Sequence, residues 1–195
     1  MKSTVWIAGA AFAAAASLVA QGSAAQTAAG KAAHPFTLAS PDITAGGKIA
    51  TAQVFNSFGC TGGNISPALR WRGAPAGTRS FALLMHDPDA PTGSGWWHWI
   101  VYNIPATATS LAAGAGDPQK QLLPQGALQG RTDFGAPGYG GPCPPPGKPH
   151  HYHLRLYALK VERLEVPADA TAAYIGFNVR AQALGEAELM GVYGR

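Results

Sequence analysis

The sequence predicts a β-rich protein, all-β or β-rich α+β, in a single domain. Charged residues make up 12% of the 195, while 25 glycines and 16 prolines punctuate the chain. That composition suits many short strands and turns. Two apolar runs, Phe81 to Met85 and Trp99 to Tyr102, are bounded by Pro and Gly as buried strands are. Runs of Ala, Leu, Glu and Lys at helical spacing are scarce beyond the N-terminus. With 47% hydrophobic residues, the chain is long enough to bury one core.

Residues 1–25 read as a secretory signal peptide. Lys2 precedes an apolar run from Val5 to Ala20, and QGSAAQ follows. Ser23 and Ala25 occupy the small positions of a cut before Gln26, and Gly22 and Ala24 fit a cut one residue earlier. At about 16 residues the run is short for a bilayer, so removal is expected over a retained anchor, with a periplasmic or secreted product. Its loss removes only Lys2, leaving 13 basic and 10 acidic residues, a net charge of +3. Those charges are scattered, so a nucleic-acid face is not expected. Residues 26–33 form a flexible lead-in, and residues 34–195 the domain.

Phe36 and Leu38 share one face of an edge strand that Pro41 ends. Gly46 and Gly47 turn the chain into KIATAQVF, expected as a second strand with Ile49 and Val54 buried. Leu69 and Trp71 alternate with Arg70 and Arg72 in a half-buried strand. The central hairpin runs from Phe81 to Asn103. Its turn, DPDAPTGSG, is stiffened by Pro88 and Pro91 and reversed by Gly93 and Gly95, so Asp87 and Asp89 stand on a rigid edge. Residues 104–130 read as a wandering surface segment. In HHYHLRLYALKV, alternation puts His150, Tyr152, Leu154, Leu156 and Ala158 toward the core, and His151, His153, Arg155 and Tyr157 outward. Val179, Ala183, Leu184, Ala187 and Met190 recur at helical spacing, which predicts a short amphipathic helix over residues 179–190.

The order DPDAP, a Gly-containing gap, WWH and a strand ending in Asn103 resembles the phosphatidylethanolamine-binding protein family in its bacterial Raf-kinase-inhibitor-like branch. FGCTGGNISPALRW (Phe58 to Trp71) resembles the family's first signature, and RTDFGAPGYGGPCPPPGKPHHYH (Arg131 to His153) its third. The resemblance implies two antiparallel sheets in a Greek-key sandwich, with short helices late in the chain. It also implies a pocket for an anion such as the phosphate of a phospholipid headgroup. Carried over by motif, that pocket comprises Asp87, Ala90, Pro91, Trp97, His98, Gly138, Gly140, Gly141, Pro142, His150 and Tyr152, with no cofactor or metal.

These residue types suit the role. Histidines donate hydrogen bonds and add charge when protonated, and a Gly138 to Gly141 loop could offer backbone N–H groups as an anion nest. Asp87 is the awkward member: beside a phosphate, either it or the ligand is expected to carry a proton. Asp87 and Asp89 have an alternative use as turn caps. His98 could be a packed core histidine, and His151 with His153 a surface metal pair.

Cys60 and Cys143 each lie in a Gly- or Pro-rich loop beside a signature segment. In an exported chain they are expected to pair, closing a loop of about 84 residues; two free thiols are the alternative, and no CxxC spacing favours a metal site.

Three functions follow from these observations. The leading one is an exported binding protein for a small phosphate- or carboxylate-bearing ligand. The second is an inhibitor or regulator of a partner protein such as a periplasmic serine protease. The third is a weak hydrolase, although no GxSxG, HExxH or Walker A segment is present and no enzyme activity is expected.

Overall fold

The computed structural model describes residues 1–4 and 35–195. The signal peptide and lead-in expected over residues 1–33 therefore lie, apart from the first four residues, outside the described residues.

Among the described residues, eight strands and one helix follow in order: β1 Thr37–Ala39, β2 Leu69–Arg72, β3 Ser80–Asp87, β4 Trp96–Pro105, β5 Ser110–Leu111, β6 Leu128–Gln129, β7 His150–Leu159, α1 Ala172–Gln182 and β8 Ala183–Tyr193. They form two antiparallel sheets, β1-β2-β5 and β6-β4-β3-β7-β8. The expected two-sheet β architecture is the one observed.

Both faces of the larger sheet are covered, which explains why β3 reads as an unbroken apolar run instead of an alternating one. Phe81, Leu83 and Met85 point toward the smaller sheet, where Leu69 and Trp71 meet Val101, Leu154 and Leu156. Ala82 and Leu84 point the other way, into a second cluster with Ile100, Tyr157, Ile175 and Val179. α1 supplies that second cover. Thr171 caps it by accepting from the Tyr174 N–H at 3.2 Å, and Ala172, Ile175, Gly176 and Val179 are its buried residues.

Three expectations need correction. Ile49 and Val54 are both buried but do not lie on a strand. Five residues apart, they would face opposite sides of one, and a turn with Gln53 N–H bonded to Ala50 O at 3.0 Å buries both instead; the segment meets the sheet through a parallel bridge, Lys48 to Val192. The late helix ends at Gln182, not Met190. From Ala183 the chain is a strand whose Ala187 and Leu189 are buried while Leu184, Glu186 and Glu188 are not, a period of two that wins because β7 offers a free edge to pair with. Gly191 pairs with Tyr152 in this strand, and a Cβ there would press on Ile49. Tyr157, expected outward, is buried beneath α1.

Candidate functional site

The β3–β4 hairpin builds the site through a β-bulge. Met85 pairs with Trp99 and His86 with Trp97, so His98 is the extra residue on β4. A bulge re-aims side chains. It allows His98 and Trp99 both to turn inward, where strict alternation would send one out. Asp87, one position beyond the bulge, pairs with Trp96 at the strand end, and His150 and Tyr152 enter from β7.

Asp87 is 3% exposed. Its Oδ1 accepts from the N–H groups of Asp89 at 2.9 Å and Ala90 at 3.1 Å, and its Oδ2 faces His150 Nδ1 at 2.8 Å. The turn cap that stood as the alternative use of Asp87 is therefore real, and the same carboxylate orients a histidine. His98 is buried, and its Nδ1 lies 2.7 Å from the Gly140 carbonyl oxygen. A carbonyl only accepts, so Nδ1 carries the proton and Nε2 is left facing the cavity with its lone pair. Burial pulls the His98 pKa down to about 4, against the opposing pull of the Gly140 hydrogen bond and the Asp87 charge. Tyr152 is fully buried, and among the described residues its hydroxyl makes no well-formed hydrogen bond, though the Asp87 carboxylate is close enough to draw on it. Burial, with the Asp87 charge adding to it, pushes that phenol up.

These groups floor a cavity of about 230 Å³. Its walls are chiefly apolar, with Phe58, Ala90, Pro91, Trp96, Phe134, Pro144 and Pro145 joined by Thr92 and the disulfide-bonded Cys143. Phe134 is the hub of this rim, with ring centroids 4.6 Å from Phe55, 5.5 Å from Trp96 and 5.4 Å from His98. Phe58 is 62% exposed at the mouth. The Cys60–Cys143 disulfide ties the two rim loops together, as expected. Arg195 adds a second tie, donating through Nε to Pro144 O at 2.6 Å and through Nη1 to Gly59 O at 3.3 Å.

Of the residues read from sequence, the fold brings Asp87, Ala90, Pro91, His98, His150 and Tyr152 to this cavity. Trp97 is on the other face. It stands opposite His86, with ring centroids 4.2 Å apart, and packs near α1; Trp96 takes the place assigned to it. The glycine loop also plays a different part from an anion nest. Tyr139 N–H bonds to Gly116 O at 2.9 Å, Gly140 N–H to His98 O at 2.9 Å, and Gly141 N–H to Asn64 Oδ1 at 2.8 Å. Pro142 has no N–H, and its carbonyl accepts from Phe55 at 3.0 Å. Gly138 and Gly140 line a neighbouring cavity with Asn64 and Lys120. The loop's contribution is an acceptor that fixes the His98 tautomer. Its glycines are needed for close approach: a Cβ at 140 would overlap the Phe134 ring, and one at 141 the Gln53 carbonyl oxygen.

Sequence reasoning missed Asn64, Phe58 and Phe134, and it read Trp96 as core or pocket wall without placing it in the ligand set. Asn64, at φ 49°, sits in a quoted signature segment, and a residue that tolerates the left-handed region between loop residues was the available signal. His151 and His153 do not make a metal pair. His151 Nδ1 meets Asp89 Oδ2 at 2.7 Å and His153 Nδ1 meets Glu188 Oε1 at 3.0 Å. Among the described residues no group of three His, Cys, Asp or Glu is placed to hold a metal.

Fold and site together define a two-sheet β protein with a carboxylate-and-imidazole floor under an apolar-walled cavity. The chain belongs to the phosphatidylethanolamine-binding protein family, whose model matches residues 39–194. It is similar to the UPF0098 protein YbcL of Escherichia coli K12, 51% identical over 159 residues that span 81% of this chain and 87% of YbcL. The crystal structure of E. coli YbcL, described as a new member of the mammalian PEBP family, aligns at a TM-score of 0.80 and 50% identity. It covers 82% of this chain and 98% of that one. A Mycobacterium tuberculosis relative named as lipoprotein LppC is 37% identical over 163 residues, 83% of this chain and 74% of that protein. That relative and the disulfide fit an exported protein.

Proposed function

We propose that the protein is an exported binding protein whose cavity takes a small anionic group, phosphate or a phosphorylated headgroup, and acts by binding without turnover. The observation that carries this reading is the Tyr152 hydroxyl, buried beside the Asp87 carboxylate without a well-formed hydrogen bond, at the floor of a cavity whose walls are apolar apart from Thr92. A buried donor without a partner costs about 1–3 kcal/mol, and an oxygen of a bound acid satisfies it. His150 stands beside it, held by Asp87 so that Nε2 is its free nitrogen. Export is supported by the charged, apolar and small-residue segments of residues 1–25.

Inorganic phosphate and phosphoethanolamine, titrated against the fluorescence of a chain whose Trp96 lines the cavity, test the reading. Saturable quenching or enhancement that is lost in both His98→Ala and His150→Ala supports it. No saturable change with either ligand in the folded wild type contradicts it and moves the function toward a protein partner.

A further inference from the structure

The hydrogen-bonding polarity of the floor points to a specific acid. We propose that the cavity selects acids that keep one O–H at the pH of binding, phosphomonoesters above all, over anions of the same charge and shape that have no proton. This rests on the anion-binding reading above.

Three valences face a ligand. His98 Nε2 is an acceptor, because Nδ1–H is committed to Gly140 O at 2.7 Å. The commitment is firm: the same two residues also pair through the backbone, Gly140 N–H to His98 O at 2.9 Å, and Asn64 anchors the next residue at 2.8 Å. The Tyr152 hydroxyl is a donor without a well-formed hydrogen bond in the fold, beside the Asp87 carboxylate. His150 Nε2 donates when the ring is charged and accepts when it is neutral, since Nδ1 is held by Asp87 at 2.8 Å. Asp87 itself offers the ligand little, because its two oxygens already receive three hydrogen bonds.

A fully ionised anion can accept from Tyr152 and His150, yet it sets an oxygen lone pair against the lone pair of His98. A phosphomonoester monoanion places P–OH there instead and leaves its other oxygens for the donors. Diesters and sulfate esters cannot, because they have no acidic proton left. Turning the floor into an all-donor site requires charging His98. The titratable groups facing that ring are Asp87 from β3 and His150 and Tyr152 from β7, with His86 acting on it only through charge from the opposite face of the sheet; burial outweighs the Asp87 charge and holds the ring neutral well below pH 6. The apolar rim adds the other half of the specificity: Trp96, Phe134, Pro91, Pro144 and Pro145 suit an aryl or alkyl substituent on the ester.

Phenyl phosphate and phenyl sulfate, titrated calorimetrically into the protein at pH 5.5, isolate the proton. With a second phosphate pKa of about 6, both are chiefly monoanions of nearly the same shape there. Leaving a buried acceptor unpaired costs about 1–3 kcal/mol, so phenyl phosphate is expected to bind about fivefold to a hundredfold more tightly. Sulfate-ester binding within twofold of the phosphate overturns the proposal while leaving the anion site standing. Binding of neither ester overturns both. No variant is needed, so the outcome does not depend on a mutant folding.

Discussion

Acidification should weaken this protein through a single imidazole. His98 is 3% exposed, edge-on to the rings of Phe134 and Tyr152 at 5.4 and 5.1 Å, and burial lowers its pKa from the ordinary 6.5 to about 4. Because the folded value lies below the unfolded one, the unfolded chain binds more protons between the two. Stability therefore falls as pH drops through that window and rises as it is restored. At about 1.36 kcal/mol per pH unit, the loss attributable to His98 by pH 4 is about 3 kcal/mol. The perturbation that isolates it is His98→Asn. Asparagine can keep an amide N–H on the Gly140 carbonyl, and it does not titrate. Urea unfolding of both proteins with the disulfide intact, at intervals from pH 7.5 to 4, gives the difference; carboxylates common to both cancel. The wild type should lose about 3 kcal/mol more than the variant across that range. Parallel curves would refute the claim that burial holds His98 neutral.

Three further outcomes follow from the same geometry. Tyr152→Phe removes a core hydroxyl that has no well-formed hydrogen bond, so its denaturation midpoint should match or exceed the wild type's, with a gain of up to about 1–3 kcal/mol; a clear loss would mean that Asp87 accepts from it in the free protein. Gly141→Ala drives a Cβ into the Gln53 carbonyl and to 2.7 Å from the Phe55 nitrogen, backbone atoms that cannot rotate away. A destabilisation of about 1–3 kcal/mol is expected by thermal melting, and an unchanged melting temperature contradicts it. Reducing Cys60–Cys143, 83 residues apart in sequence, should cost up to about 4 kcal/mol in the chain-entropy picture. Equal guanidinium midpoints with and without reductant would rule that out.

How much of this was legible in the sequence differs from element to element. β3, β4 and β7 announce themselves because their apolar runs are long and closed by Pro or Gly, and Leu69–Arg72 because the alternation is strict and half-buried. The floor residues were readable from motif order. What could not be read is which way each side chain points where the period breaks. The bulge at His98 has no composition signature of its own, and its pairing puts Trp96 on the cavity side and Trp97 on the helix side. The stretch from Ala183 fits both a 3.6 and a 2.0 period in its apolar residues, and only the free edge of β7 decides for the strand. The glycine loop is legible as a close approach. Whether its N–H groups face a ligand or neighbouring protein atoms depends on Asn64 and Gly116, distant in sequence.

The central claim is that His98 Nε2, His150 and the Tyr152 hydroxyl await an acid. Long-range proton–nitrogen correlation spectra of the histidine rings, recorded at pH 7 before and after inorganic phosphate is added, address it most directly. In the free protein His98 should appear as the neutral tautomer protonated at Nδ1. Phosphate should then move the ring nitrogens of His98 and His150, while His86 and His153, paired on the opposite face of the sheet, stay in place. A His98 already charged in the free protein, or a phosphate titration that leaves His98 and His150 unmoved, would contradict the claim.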